Sequence, residues 1–280
     1  MTHIAIIAPS FEGDGDSPQI ALDWIQSHGW QGHSFLPPQG SHPVFAAPQA
    51  QRLTHLLRAI EDPEIDILWA IRGGGGSTLL VPELLKRKDS LMKRSKPLTL
   101  MGFSDITALH VAGHQELNWR CVHTPTLKSI FRTDPQSLDL LVHLIQHKTV
   151  RWEAPLIPLN QEAKAMPSTN APLVGGNLSL INLSIGSPWM IKPQGSFLVL
   201  EDVGEQPYRL VLKLAHLSQT GLLKDVKALV MGDFSANPDE LMDLDLIALV
   251  LKEFAHSIDI PVFSGVPIGH DALNHPFAQG

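Results

Sequence analysis

The sequence predicts an α/β protein, and three observations carry this prediction. Apolar runs of strand length alternate with segments of helical periodicity through the first half of the chain. A proline-containing stretch of weak periodicity, residues 151–172, separates it from a second half with shorter strands and mixed order. The 280 residues suffice for one large domain or two ordinary ones. Alternation of this kind predicts a mostly parallel sheet flanked by helices, with a ligand crevice at the carboxyl ends of its strands.

The elements of the first half follow from hydrophobic periodicity and from breakers. Pro48 begins a helix that Asp62 and Pro63 end, and the other helices show apolar residues at helical spacing. The predicted strands are 3–8, 65–71, 98–101 and 120–123. The predicted helices are 20–25, 48–62, one ending at 84, one beginning at 106, and 136–146.

The second half has the same two signals in shorter segments. Strands are predicted at 196–201, 228–231 and near 262–266. Helices are predicted from the Gly-Gly-Asn at 175–177 to 185, and at 208–217 and 239–254.

Composition excludes several classes of partner. The net charge is −7 and no basic run is longer than 86–88, which argues against a nucleic-acid partner. A single cysteine, Cys121, excludes an internal disulfide and is typical of a reducing compartment. The sequence shows neither a signal peptide nor an apolar run of membrane-spanning length. We therefore expect a soluble, cytoplasmic protein with no membrane partner.

Residues 98–110 contain the first candidate for chemistry. A buried strand and a helix beginning at Ile106 leave only 102–105 for a sharp strand-to-helix turn. A serine there lies at the rim of the sheet, facing the free N–H groups of the helix, so Ser104 is a candidate nucleophile. An ordinary N-cap by Ser104 or Asp105 is the commoner structure at such a turn. Thr107 also replaces the second glycine of the G-x-S-x-G hydrolase pattern.

Four consecutive glycines, 73–76, follow a predicted strand and precede a helix. The loop has no Gly-Lys-Ser/Thr and no third glycine in frame, which excludes the P-loop and dinucleotide patterns. Its backbone N–H groups could approach a developing oxyanion, and the alternative is a merely flexible connection.

One acid and one histidine follow predicted strands in the second half. Glu201 ends a strand where a carboxylate could orient a histidine, although Asp202 and Glu205 compete for that role or could cap the next helix. His270 differs from most of the 14 histidines because it follows a strand in a loop fixed by Pro and Gly. Neither the histidines nor the acidic loop 12–16 has metal-site spacing, so we predict no metal and no cofactor.

With these residues identified, the chain closely resembles the LD-carboxypeptidase family of serine peptidases, which includes muropeptide LD-carboxypeptidases and microcin C self-immunity hydrolases. The matching segments occur in the family's order over almost the whole chain: 7–10, 72–77, 102–109, 175–180, 200–209, 231–234 and 266–270.

The resemblance implies a triad of Ser104 as nucleophile, His270 as general base and Glu201 as its orienting group. It implies an oxyanion hole from the backbone N–H groups of Asp105 and of Gly75 or Gly76. It also implies an amino-terminal α/β domain with the serine and a smaller mixed α/β domain, with a barrel-like sheet, that carries the Glu and the His. The prolines and weak periodicity of 151–172 predict a linker there, so the two domains are expected at 1–150 and 173–280. The site then lies between the two domains, and the protein is expected to be a homodimer.

The implied reaction is hydrolysis of the bond between an L-centre and a terminal D-amino acid, as in release of D-Ala from murein tetrapeptide during peptidoglycan recycling. Such a substrate has a free carboxylate, and Arg72 and Arg209 are candidates to bind it. Two alternatives stay open. An immunity-type amidohydrolase acting on aminoacyl-nucleotides needs aromatic surfaces, of which Trp152 is the candidate, and a non-catalytic module could bind cell-wall peptides in the crevice.

Three departures from the family pattern bear on the site. Gly75 stands where the family often has an aromatic residue, and residues 124–126 read Thr-Pro-Thr rather than Gly-Pro-Met. Relatives also generally continue past the position of Gly280. From this we expect an unpaired strand edge beside the His270 loop, unless another segment covers it.

Overall fold

The computed structural model describes residues 1–149, 151–235 and 244–280. The chain divides into two compact units, Met1–Arg132 and Thr133–Gly280. Each unit contains a sheet whose strands are mostly parallel, with helices between them, and this confirms the predicted α/β class. No helix in the described ranges is both long and apolar enough to cross a membrane.

The first unit is built on a parallel sheet with strand order β5-β4-β3-β1-β2. Its strands are β1 His3–Ile7, β2 Gln31–Ser34, β3 Ile67–Ala70, β4 Thr99–Gly102 and β5 Arg120–His123. Its helices are α1 Ser17–Ser27, α2 Gln49–Glu61, α3 Val81–Leu85, α4 Lys88–Leu91 and α5 Thr107–Glu116. Short 3-10 turns occupy Ser77–Leu79, Ser104–Ile106 and Ile130–Arg132. The central strands β1, β3 and β4 are almost wholly buried, as an apolar strand flanked by helices must be.

The second unit has the strand order β6-β10-β9-β8-β7, in which β6 is antiparallel and the others are parallel. Its strands are β6 Ile157–Pro158, β7 Leu173–Asn177, β8 Phe197–Val203, β9 Ala228–Ser235, β10 Val262–Ser264 and β11 Phe277–Ala278. Its helices are α6 Pro135–His147, α7 Gln161–Ala165, α8 Leu178–Ser184, α9 Pro207–Gln219 and α10 Leu244–His256. A barrel-like closure of this sheet stays a prediction.

The boundary between the units precedes α6, whereas the sequence suggested 1–150 as the first domain. Asp134 caps α6 by accepting hydrogen bonds from the N–H groups of Gln136 and Ser137. The Asp134 N–H donates to the carbonyl of Ala272, and the Asn274 N–H donates to Ser137 Oγ. These hydrogen bonds to residues near the chain end place α6 with the second unit.

Residues 151–172 contain secondary structure where a linker was expected. They include β6, which pairs with β10, and α7. The Asn160 side chain caps α7 through Ala163 N–H and also donates to the carbonyls of Ala255 and Ile260. The prolines of this stretch therefore interrupt its periodicity without leaving the chain unpaired.

Two further expectations concern the second sheet. The unpaired strand edge expected beside the His270 loop stays a prediction, and the end of the chain bonds instead to β7. There the Gln279 side chain bonds both backbone groups of Gly175, and the Gly280 N–H donates to the carbonyl of Leu173. The predicted helix 239–254 corresponds to α10, and its residues 239–243 lie outside the described ranges.

Candidate active site

Ser104 lies two residues after the end of β4 and has a left-handed backbone, with φ of 62°. This region is sterically unfavourable for a residue with a Cβ. Ser104 is the first residue of the 3-10 turn that leads into α5. The N-cap residues of that turn and of α5 are Phe103 and Ile106, and neither makes a side-chain capping bond. The ordinary cap by Ser104 or Asp105 is therefore not the structure adopted.

The glycine loop approaches Ser104 through its first residue. A Cβ built on Gly73 would lie 2.9 Å from the Cβ and 3.1 Å from the Oγ of Ser104, so any side chain at position 73 would displace the serine. The next glycines face aromatic rings instead: Gly74 lies against Phe11, and Gly76 against Phe45.

The Asp105 side chain joins the serine turn to the glycine loop. Its Oδ2 accepts hydrogen bonds from Ser10 Oγ at 2.5 Å and from Ser77 N–H at 2.8 Å. Ser77 Oγ donates in return to the carbonyl of Asp105 at 2.5 Å. Asp105 is buried, so these bonds have little competition from water. They fix the position of the peptide that follows Ser104.

Arg52 of α2 bonds to the glycine loop and to two neighbouring segments of the chain, and it is only 1% exposed. Its Nε donates to the carbonyl of Ala47 at 3.0 Å, and its Nη1 donates to the carbonyls of Gly76, at 2.9 Å, and Pro9. The guanidinium also lies over the Phe45 ring, 4.7 Å from its centroid. Burial lowers the pKa of Arg52, and the charge of Asp105 opposes that shift.

Arg52 is not among the residues predicted from the sequence, although its place in α2 gives one signal. Arg52 lies on the apolar stripe of α2 with Leu56, Ala59 and Ile60. A charged residue on the buried face of a helix needs polar partners, and here they are backbone carbonyls of three loops.

In the second unit, Glu201 of β8 pairs with His270. The Nδ1 of His270 lies 2.6 Å from the Oε2 of Glu201, which is completely buried. The other two acids that competed with Glu201 bind elsewhere. Asp202 accepts hydrogen bonds from Asn177 and Ser179, and Glu205 pairs with Lys213 at 2.5 Å.

The loop that carries His270 is held against β9. The Asp233 N–H donates to the carbonyl of Ile268 at 2.7 Å, and the His275 N–H donates to the carbonyl of Pro267 at 2.7 Å. A Cβ on Gly232 would lie 2.4 Å from the carbonyl oxygen of Ile268 and 3.2 Å from the Cβ of Glu201. A glycine at 232 is therefore required for β9 to lie between the carboxylate strand and the histidine loop.

Burial and charge act in opposite directions on this pair. Burial raises the pKa of Glu201, and the adjacent His270 opposes the shift. Burial lowers the pKa of His270, but the charges of Glu201, Asp202 and Asp233 outweigh it and raise the pKa above its usual range. An imidazole that is oriented through Nδ1 leaves Nε2 as the atom that can accept a proton, which is the chemistry of a general base.

The two candidate cations have different surroundings. Arg72, between β3 and the glycine loop, forms an ion pair with Asp14 at 2.7 Å. Arg209 lies in the first turn of α9, and its Nε donates to the Tyr208 hydroxyl at 3.1 Å. Across the described residues, no group of three or more His, Cys, Asp and Glu could hold a metal ion.

Both halves of the chain match known domains. Residues 4–124 match the LD-carboxypeptidase N-terminal domain, and residues 170–280 match the LD-carboxypeptidase C-terminal domain. A protein of Rickettsia conorii whose carboxypeptidase name is provisional is 39% identical, over 85% of this chain and 73% of its own. The murein tetrapeptide carboxypeptidase of Pseudomonas aeruginosa is 28% identical, over 99% of this chain and 91% of its own.

Solved structures agree with the sequence matches. The crystal structure of muramoyltetrapeptide carboxypeptidase from Oxalobacter formigenes has a TM-score of 0.78 and 28% identity, covering 100% of this chain and 93% of the other. The microcin C7 self-immunity protein in complex with adenosine monophosphate shares the fold, with a TM-score of 0.77 and 17% identity, covering 100% and 91%. The two domains of the family match this chain in order, and relatives are similar to it over most of their length. This chain therefore belongs to the LD-carboxypeptidase family.

Proposed function

We propose that this protein is a serine-type LD-carboxypeptidase that releases the terminal D-Ala from murein tetrapeptide during peptidoglycan recycling. Membership of the family supports carboxypeptidase activity, and the names of relatives support a murein-derived substrate. The family resemblance implies the serine mechanism and the roles of individual residues, and the local geometry of Ser104 and of the Glu201–His270 pair supports them.

The observation that carries the proposal is the left-handed backbone of Ser104 at the end of a buried strand. Such strain costs about 1–3 kcal/mol and persists where the rest of the fold enforces it, often at a functional site. A nucleophile elbow needs this turn because it exposes the hydroxyl and points the next N–H groups towards the reacting carbonyl. The His270–Glu201 pair adds the oriented base that a serine nucleophile requires.

In the proposed reaction, Ser104 Oγ attacks the carbonyl carbon of the scissile bond while its proton passes to Nε2 of His270. The resulting imidazolium is stabilised by Glu201 through Nδ1–H. The oxyanion is bound by the N–H groups of Asp105 and of Gly75 or Gly76. His270 then protonates the leaving amine of D-Ala, and water, activated by the same imidazole, hydrolyses the acyl-enzyme.

The free carboxylate of the substrate needs a cation or a set of N–H donors. We propose Arg72, because it adjoins the glycine loop that approaches Ser104. Arg209 is a second candidate, and it lies in the first turn of α9 beside Tyr208.

The aminoacyl-nucleotide alternative depended on Trp152 as a stacking surface. In the structure its indole N–H donates to the carbonyl of Pro276 at 2.7 Å, and its ring meets His275 edge-on. Trp152 also packs against the apolar cluster that contains Val199 and Phe277. These contacts account for Trp152 as a packing residue of the second unit.

The test is incubation of the purified protein with murein tetrapeptide and, separately, with an aminoacyl-nucleotide, followed by mass spectrometry. We expect loss of the mass of D-Ala from the tetrapeptide. Ser104→Ala should lower that rate by about 10⁶-fold, as loss of a triad nucleophile does. An unchanged rate in Ser104→Ala would exclude the mechanism. Cleavage of the nucleotide conjugate alone would favour the amidohydrolase, and no reaction with either would favour a binding module.

A further inference from the structure

Two cations at the carboxyl edge of the first sheet share one carboxylate. Asp14, in the loop before α1, contacts Arg72 Nη1 through Oδ1 at 2.7 Å and Lys128 Nζ through Oδ2. The Asp14 side chain is 62% exposed, whereas those of Arg72 and Lys128 are 37% and 29% exposed. The hydrogen bond from Lys128, helped by the charge of Arg72, lowers the pKa of Asp14. The cluster therefore contains two positive charges and one negative charge at neutral pH.

The cluster adjoins the backbone that approaches Ser104. Arg72 immediately precedes Gly73, the glycine that allows close approach to the serine hydroxyl. Lys128 is fixed to the same place, because its N–H donates to the carbonyl of Ile71 at 2.9 Å. Phe11 also contacts this backbone. Its N–H donates to the carbonyl of Gly73, and the centroid of its ring lies 5.6 Å from the guanidinium carbon of Arg72.

A carboxypeptidase substrate places its terminal carboxylate close to the reacting atom. The carboxylate carbon is three bonds from the scissile carbonyl carbon, which is under about 4 Å at standard bond lengths. A cationic side chain whose backbone adjoins the nucleophile can therefore reach this carboxylate. Arg72 and Lys128 both satisfy this condition, and the carboxylate that they now share belongs to an exposed loop.

From this geometry we propose that Lys128 joins Arg72 in binding the terminal carboxylate of the substrate, and that Asp14 occupies the cation pair until substrate displaces it. The inference rests on the proposed carboxypeptidase function and adds two specificity residues to it. Exposed ion pairs are weak, so Asp14 can be exchanged for another carboxylate at little cost. The exchange also conserves charge, because one carboxylate leaves the pair as another enters.

The proposal is tested with two forms of the tetrapeptide, one ending in the free carboxylate of D-Ala and one ending in its primary amide. Lys128→Met should raise KM for the free acid by about tenfold and leave KM for the amide nearly unchanged, because only the acid loses a charged hydrogen bond. Asp14→Asn should lower KM for the free acid by about threefold, because it removes the competing carboxylate. Lys128→Arg should preserve the preference for the acid.

Lys86→Met is the matched control, since Lys86 pairs with Glu83 at 2.6 Å on the same unit and should affect neither substrate. Equal effects of Lys128→Met on the acid and the amide, or a higher KM in Asp14→Asn, would overturn the proposal.

Binding to Ser104→Ala, measured by calorimetry with both peptides, separates this proposal from the proposed reaction. If the wild-type protein hydrolyses neither peptide, the proposed function fails. If Ser104→Ala binds the acid more tightly than the amide, and adding Lys128→Met removes this difference, carboxylate binding by the cation pair is still supported. Equal affinity of Ser104→Ala for acid and amide would reject it.

Discussion

The backbone of Ser104 allows the strain at the proposed nucleophile to be measured separately from its chemistry. Ser104→Ala and Ser104→Gly both lack the hydroxyl, but only glycine relieves the left-handed φ of 62°. The left-handed region costs a residue with a Cβ about 1–2 kcal/mol, and the added flexibility of unfolded glycine offsets part of the gain. Ser104→Gly should therefore unfold at higher urea than Ser104→Ala, by about 0.5–1 kcal/mol in free energy.

The control for this comparison is Lys148, which has a φ of 57° at the C-cap of α6. Lys148→Gly should likewise be more stable than Lys148→Ala, because the same backbone region is relieved. If Ser104→Gly is no more stable than Ser104→Ala while the Lys148 pair differs as expected, the turn at Ser104 is not strained.

The Glu201–His270 pair predicts the pH dependence of the reaction. His270 must be neutral to accept the serine proton, and its pKa is raised by the net effect of the nearby acids. We therefore expect kcat/KM to rise with pH through an apparent pKa above 6.5, the ordinary value for histidine. Glu201→Gln removes the largest raising influence and leaves burial, so the acid limb should move to lower pH while the plateau falls by about 10⁴-fold.

Two measurements check this prediction. NMR titration of His270 in Ser104→Ala and in Ser104→Ala/Glu201→Gln reports the pKa without relying on slow turnover. Asp233→Asn should shift the acid limb in the same direction by less, because Asp233 contributes less to the raised pKa than Glu201 does. If the acid limb of the pH profile does not move in Glu201→Gln, then titration of His270 does not control the rate, and the prediction is contradicted.

Single residues could be identified from sequence only as far as local pattern allowed. Ser104 competed with an ordinary cap, and Glu201 competed with Asp202, until the family pattern favoured them. The strand explains the second choice, because neighbouring residues of a strand point to opposite faces. Glu201 thus meets His270, while Asp202 meets Asn177 and Ser179. Which face meets the histidine depends on tertiary packing that no local pattern contains.

At the scale of elements, α2 supports the glycine loop through the hydrogen bond from Arg52 to Gly76. Arg52→Met should lower the free energy of unfolding by about 2–4 kcal/mol, because the carbonyls of Ala47, Pro9 and Gly76 lose a buried charged donor. Arg52→Lys keeps the charge but lacks the planar fork, so it should restore only part of that stability. In both variants kcat should fall by about 10- to 100-fold, because the glycine loop is displaced. KM should rise by a smaller factor.

Urea unfolding and steady-state kinetics on the same preparations test this role. Arg58→Met is the control, since Arg58 lies on the exposed face of α2. Full activity and stability in Arg52→Met would show that the loop holds its position without the guanidinium.

Elements with a clear hydrophobic period were predicted, and those without one were missed. The four strands predicted in the first half are present with small shifts in their bounds. Edge strand β2 is polar, and β7 has two glycines at its centre, so neither has the apolar signal of a strand. The segment 151–172 reads as a linker for the same reason, because its side chains do not show that β6 pairs with β10.

At the scale of the whole molecule, the candidate residues are divided between the two units. Ser104, the glycine loop and Arg52 belong to Met1–Arg132, and Glu201 and His270 belong to Thr133–Gly280. The two domain matches divide the chain in the same order. Each unit holds its own residues in place through its own sheet. The proposed mechanism requires Ser104 of the first unit and His270 of the second to act in the same step, so neither unit could catalyse the reaction alone.

That claim predicts how losses combine. If Ser104 and His270 act in one proton-transfer step, removing either abolishes the same step, and removing both costs little more. Ser104→Ala and His270→Ala should each lower kcat by about 10⁶-fold, and the double variant should fall within about tenfold of either one. If the two residues acted independently, the losses of the single variants would multiply, and kcat of the double variant would fall to the rate of the uncatalysed reaction. Single-turnover mass spectrometry of released D-Ala, with urea unfolding to confirm that all three variants are folded, distinguishes the two outcomes; multiplied losses would rule out a shared triad.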